Sequence, residues 1–133
     1  MSQENVEIVR RVLDAVLLRD MEAVLAELDL DVEMDDLDTT LDMDHYRGHD
    51  GFLKWLSVWN ESWESWRFED VEILPVGEEH VIALFVMFAT GKGSGVELER
   101  SDAITFKLRD GKVVGIAYYN DQQQAREAVG LRE

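Results

Sequence analysis

Two carboxylates and a phenol are the groups in this 133-residue sequence best set to do chemistry. Asp36 closes an alternating run with Val32 and Met34, while Asp102 alternates with Arg100, Ile104 and Phe106. Tyr118 shares a strand face with Ile116 and Asn120. A carboxylate set among apolar side chains is pushed toward its neutral form by desolvation, which suits it to act as general base toward a carbon acid or a water. A tyrosine hydroxyl, or a carboxyl kept protonated, can donate to a developing oxyanion. Plainer roles stand beside these. Asp102 can simply pair with Arg100, and Asp36 can be one more solvated acid in an acidic run.

Other constellations offer less. Asp29, Asp31, Glu33, Asp35, Asp36, Asp38, Asp42 and Asp44 crowd one short stretch without a Lys or Arg among them. No part of it has the calcium-loop order, with glycine sixth and a closing glutamate twelfth, so a solvated acidic strand and loop is the expectation. His45 and His49 are four apart, a metal-ligand spacing on a helix, but Gly48 falls between them before the expected helix start. A loop or cap role is the alternative, and His45 beside Tyr46 can also line a pocket mouth as an acid or base. No metal and no cofactor is expected. The run Gly91-Lys92-Gly93-Ser94-Gly95 lacks the ending and the following helix of a phosphate-binding loop. Ser57, Ser62, Ser65, Ser94 and Ser101 lack the context of an activated nucleophile. There is no cysteine at all, which removes disulfides, thiolate metal sites and cysteine nucleophiles together.

The elements that must position these groups are legible as periodicity. Val6, Val9, Leu13, Val16 and Leu17 recur at helical spacing in a segment running from about Glu4 to Leu28, with Ser2 as a possible N-cap. Arg19-Asp20 interrupts it, and Asp20 caps a second short helix with an apolar stripe at Met21, Val24, Leu25 and Leu28. A short strand at Val32–Asp36 precedes an acidic loop over 35–44. Tyr46-Arg47-Gly48 leads into a third helix from about Asp50 to Trp63, with Phe52, Trp55, Leu56, Trp59 and Trp63 along one side. Three strands follow over 66–76, 80–90 and 96–108, the second almost continuously apolar, as in a sheet covered on both faces. Arg109-Asp110-Gly111-Lys112 is a tight hairpin signal, and a strand over 113–120 and a short helix over 122–131 close the chain. Three helices followed by an antiparallel meander predict an α+β domain with helices over one face of a curved sheet.

Composition narrows the field further. The formal charge of −16 repels phosphate backbones and anionic lipid, so nucleic-acid and membrane partners are not expected. With 46% hydrophobic residues and four tryptophans the chain can bury a core, and its length fits one domain over residues 1–133. No basic-then-apolar leader opens it and no apolar run approaches a membrane span, so a cytoplasmic setting is the expectation.

The segments ENVEIVRRVLDAVLLRD, LDLDVEMDD, YRGHDGFLKWLSVW and LRDGKVVGIAYYND stand in an order that resembles the SnoaL-like, polyketide cyclase-like family of the nuclear transport factor 2-like superfamily. The resemblance covers about Glu4 to Leu131. It implies a cystatin-like cone in which a curved antiparallel sheet wraps the N-terminal helices around an apolar pocket, and a homodimer formed through the outer sheet face. It also implies a register that turns Ile116, Tyr118 and Asn120 inward. The pocket would then combine an apolar lining of Met34, Phe52, Trp55, Trp59, Phe106 and Ile116 with Asp36, Tyr46, Arg100, Asp102, Tyr118 and Asn120, which is the anatomy of a site for a small apolar ligand. Asp36 matches the general-base position of ketosteroid isomerases, but Val12 stands where their tyrosine would be and Ile104 near their protonated acid, two residues past Asp102. Tyr118 stands where polyketide cyclases of this branch carry their catalytic aspartate. Arg100 with Asp36 and Asp102 can imitate the Asp-Arg-Asp water-activating set of the related epoxide hydrolase. Two functions follow: a cofactor-independent isomerase, cyclase, dehydratase or hydrolase with Asp36 or Asp102 as base and Tyr118 as donor, or a non-catalytic ligand-binding or dimeric scaffold domain.

Overall fold

A computed structural model describes residues 2–38 and 44–131. It opens with helix α1 (Ser2–Leu17), whose stripe Val9, Val12 and Leu13 is almost wholly buried. Each such aliphatic side chain removed from water contributes about 1.5–3 kcal/mol, which holds the helix to the sheet more firmly than its propensity would. Because α1 begins at Ser2 itself, its cap position lies outside the described residues. Arg19, with a left-handed φ of 62°, ends the first helix, and Asp20 caps α2 (Met21–Glu27) by accepting from the Ala23 amide at 3.1 Å. Leu28, expected as the last apolar residue of that helix, instead opens strand β1 (Leu28–Leu37).

β1 accounts for the acidic run. Val32, Met34 and Asp36 are buried while Glu33 and Asp35 face water, so alternation divides the acids between two environments. A strand absent from the sequence reading, β2 (Asp44–Arg47), returns antiparallel along β1 with Met34 opposite Tyr46. The turn into α3 (Gly48–Ser62) needs a glycine. Gly48 has φ 75°, and a Cβ there would sit 3.3 Å from the Leu30 carbonyl oxygen. α3 buries Phe52, Trp55, Leu56 and Trp59 against the sheet.

The rest is the expected meander: β3 (Trp63–Val76), β4 (His80–Gly91), β5 (Glu97–Arg109) and β6 (Lys112–Tyr119). Asp110 and Gly111, at φ 54° and 78°, form the tight β5–β6 turn. The sheet runs in the order β2-β1-β6-β5-β4-β3, and here the expectation of a wholly antiparallel sheet is corrected: β1 lies parallel to β6. Alternation marks a strand but not its partner. The parallel pairing follows from the way α3 and the meander carry the chain round to β1's free edge. Helices α1 and α3 cover one face over the main core. On the other face Ile82, Leu84, Ala103 and Tyr119 form a second apolar cluster with Ala125 of α4 (Gln122–Ala128).

Candidate functional site

Register places the chemical groups. On the inner face Asp36 of β1 lies opposite Tyr118 of β6, which lies opposite Ile104 of β5. One step along, Met34, Ile116 and Phe106 form the next row. Asp102, two residues before Ile104, shares its face and reaches Tyr118 diagonally. Strand alternation thus delivers three side chains distant in sequence to one buried patch.

Asp36 is 2% exposed. One carboxylate oxygen accepts from Trp55 Nε1 at 2.8 Å and the other from the Asp38 amide at 3.0 Å. Asp102 is fully buried and accepts from Tyr118 Oη at 2.6 Å. Arg100 grips it with both Nε (2.6 Å) and Nη2 (2.8 Å). The same guanidinium reaches across to Asp38, with Nη2 at 2.7 Å and Nη1 at 3.3 Å from its two oxygens. Arg100 therefore bridges two fully buried carboxylates while Asp36 takes its hydrogen bonds from neutral donors. The expected imitation of an Asp-Arg-Asp set is corrected in one member, because the second acid on Arg100 is Asp38 rather than Asp36. Asp38 is the residue that sequence reading missed. Its signal was present: it stands two positions past Asp36, where the alternation of β1 carried one step beyond the strand's end points inward again.

Three carboxylates around one guanidinium leave a surplus of negative charge in an apolar surround. Burial, the largest influence, pushes the Asp36 carboxyl above the usual carboxylate range, against the hydrogen bonds from the Asp38 amide and Trp55. Asp102 is pushed the same way by burial, opposed by Arg100 and Tyr118. The Tyr118 hydroxyl is held protonated by burial and by the Asp102 charge.

Beside this patch lies an apolar cavity of about 30 Å³. All six apolar residues expected to line it do so: Met34, Phe52, Trp55, Trp59, Phe106 and Ile116, joined by residues of α1 and by Trp66, Phe68 and Ile104. None of the polar residues expected there (Asp36, Tyr46, Arg100, Asp102, Tyr118 and Asn120) reaches its surface. Asp36 and Tyr118 stand behind the Trp55–Trp59 wall with Asp102 and Arg100 behind Tyr118, whereas Tyr46 is 8% exposed in the core and Asn120 lies half-buried just past the end of β6. A volume of about 30 Å³ holds about one or two waters. The tryptophan stripe does both things read for it, packing the core of the cone and walling this small cavity. A larger open depression of about 540 Å³ crosses the ends of β3, β4 and β5 between Arg67, Phe88 and Glu99, and none of the buried carboxylates borders it.

The histidine pair does not form a ligand set on a helix. His45 is on β2, with Nδ1 2.6 Å from Asp35 Oδ1, whereas the ring of His49 at the start of α3 meets the Leu28 carbonyl oxygen at 3.0 Å. The Asp35 hydrogen bond, with Glu33 and Asp44 nearby, raises the His45 pKa.

The sequence model of the SnoaL-like domain matches residues 9–116. None of the curated proteins matches the chain in sequence. Among solved structures, the chain resembles a nuclear transport factor 2-like protein from Burkholderia xenovorans, with 22% identity, TM-score 0.80, and 97% and 98% of the two chains covered. It resembles a candidate polyketide cyclase from Xanthomonas campestris pv. campestris at 22% identity and TM-score 0.78, over 98% of this chain and 97% of that one. TerC co-crystallized with polyporic acid matches at 18% identity and TM-score 0.78, over 96% of this chain and 98% of that one. At these identities the likeness concerns the fold.

Proposed function

We propose that this chain, which belongs to the SnoaL-like family, holds a small, largely apolar molecule inside the cone, with Asp36 as the group set to exchange a proton with it. The observation that carries the reading is the cavity lined by the aromatic side of α3 and walled by Trp55, whose indole nitrogen hydrogen-bonds Asp36. TerC, of the same fold, was co-crystallized with polyporic acid, which is in keeping with a small-molecule ligand. Sites for such ligands enclose roughly 300–1,000 Å³. A ligand would therefore enter by displacing the aromatic side chains now packed there. Part of the gross binding energy goes into that rearrangement.

A second reading is favoured by a specific contact. Arg100 ion-pairs with both Asp38 and Asp102, so two of the three buried carboxylates are held by one structural cation and the pocket would bind without catalysis. The readings separate on proton exchange. Incubated with 1-indanone in D₂O, an acid-base catalyst would incorporate deuterium at the ketone's α-carbon faster than buffer does, and Asp36→Asn would abolish the excess. A binding domain would give the buffer rate in both proteins. Occupancy itself is tested by tryptophan fluorescence and thermal shift with steroid-like, terpenoid and aromatic polyketide compounds. Quenching with a rise in Tm is expected, and no response across all three classes would overturn the pocket reading. The homodimer and the cytoplasmic setting belong to the same proposal. A monomer in sedimentation at tens of micromolar would refute the first, and cell fractionation tests the second.

A further inference from the structure

A ligand reaches the apolar cavity only if its wall opens, and that wall is unevenly backed. Of the twelve side chains that line the cavity ten are buried, while Val16 and Phe68 are partly exposed. Trp66, at 8%, is the most exposed of the ten. These three lie on the two sides of one seam. Val16 belongs to the last turn of α1, and Trp66 and Phe68 belong to β3, their rings 5.3 Å apart. Among the described strands β3 is an end of the sheet, held by β4 on one side only. Just past Phe68 its ladder to β4 is interrupted between Glu69 and Glu72, where Asp70 takes a left-handed φ of 55°. Bulges of this kind let an edge strand bend locally.

Arg19 spans the seam. Its Nη1 donates to the Val16 carbonyl oxygen at 3.1 Å, and its guanidinium carbon stands 4.0 Å from the centre of the Trp66 ring. The same indole is held a second time, because Trp66 Nε1 donates to the side-chain oxygen of Asn60 on α3 at 3.0 Å. Arg19 and Asn60 are both exposed, so two solvated side chains hold Trp66 in place. Arg19 also sits at a φ of 62°, which glycine takes freely and a residue with a Cβ takes at a cost. The turn by itself favours glycine; what arginine adds is the guanidinium over Trp66. The other two tryptophans of the wall are worse placed to move. Trp55 is tied to the buried Asp36, and Trp59 is 1% exposed among aromatic rings.

We propose that the seam between α1 and β3 is the entrance to the cone, and that Arg19, laid over Trp66, is its latch. Trp66 swings out to admit the ligand and returns beneath the guanidinium, where Asn60 takes its indole N–H again. An exposed cation–π contact is weak, so the latch governs the rate of entry without locking the site. The inference rests on the cone being the ligand site and names the side chain that yields first and the residue that controls access.

The test is stopped-flow binding of prodan, an uncharged aromatic ketone whose fluorescence shifts to the blue on leaving water, to the full chain. Arg19→Gly suits the left-handed backbone, and Asn60→Ala puts a strong helix former at an exposed position of α3, so both variants are expected to fold, with thermal melts as the check. The latch closes over the empty and the filled cone alike, so loosening it lowers the barrier from both sides. Arg19→Gly is expected to raise the association and dissociation rates together, each about fivefold, with Kd within about twofold of wild type. Adding Asn60→Ala should raise both rates further, and Arg19→Lys, which keeps a cation, should fall between wild type and Arg19→Gly. Unchanged rates would put the entrance elsewhere and overturn the latch while the pocket stands. A change in the dissociation rate alone would make Arg19 a ligand contact and not a latch. If prodan binds none of these proteins up to its solubility limit, the pocket falls and the latch with it.

Discussion

A buried acid makes its own pH dependence, and Asp36 is the clearest case in this protein. Its carboxyl is pushed up in the folded state by burial, so the folded chain binds the proton more tightly than the unfolded chain does. Its contribution to stability is accordingly complete below the unfolded pKa of about 3.9 and is lost as pH climbs through the raised folded value. Asp36→Asn removes that titration. Urea melts across acidic to neutral pH are expected to show a shallower decline of stability with rising pH in the variant, and an unchanged slope would mean that Asp36 ionises freely. Arg100 presents the complementary case. It is the cation shared by Asp38 and Asp102, with 13% of its side chain exposed against 0% for each acid. Arg100→Met should cost about 3–5 kcal/mol at neutral pH, because two buried carboxylates then lack their counter-charge. Protonating Asp102, which burial already pushes toward its neutral form, relieves part of the defect, so the variant should recover relative to wild type as pH falls, which chemical denaturation at two pH values would read directly. A variant equally weak at both would place the arginine's value in packing rather than charge.

Elements assemble these residues, and they differ in how openly the sequence declares them. The long helices and the meander are legible because packing against a sheet demands a repeat of about 3.6 in one and 2 in the other. β2 is not, because its four residues Asp44–Arg47 carry one buried side chain, Tyr46, and acquire strand character only by pairing with β1. Leu28 reads as helix by spacing and is taken by β1 because its backbone finds Val113 of β6 alongside. The closing helix α4 has only 7 residues, too few to persist without its cap and its packing. Asp121 accepts from the amides of Gln123 and Gln124, and Ala125 seals the second cluster against Ile82 and Tyr119. Asp121→Ala is expected to cost about 1 kcal/mol and to raise the binding of a hydrophobic dye as that outer cluster loosens. A variant with wild-type stability and dye binding would show that Ala125 and its neighbours hold the helix unaided.

At the scale of the whole molecule the charge of −16 acts on the fold as self-repulsion. Raising ionic strength from about 0.02 to about 0.5 M shortens the screening length several-fold and should raise Tm. A Tm that falls with salt would indicate that the pair interactions of Arg100 and the other cations outweigh that repulsion. Sequence alone determined the α+β class, the family, the order of nearly every element and which side chains share a strand face. Each of these is a local property, written in periodicity, turn chemistry and ordered motifs that a short window contains. It thereby brought Met34, Phe52, Trp55, Trp59, Phe106 and Ile116 to one cavity. What only the tertiary structure decided is everything that depends on who stands opposite. β1 pairs in parallel with β6; Arg100 takes Asp38 rather than Asp36; and Asp36, Asp102 and Tyr118 stand behind the cavity wall. Partner choice, cavity volume and hydrogen-bond satisfaction arise from contacts between residues far apart in the chain, and no local pattern encodes the distance between them.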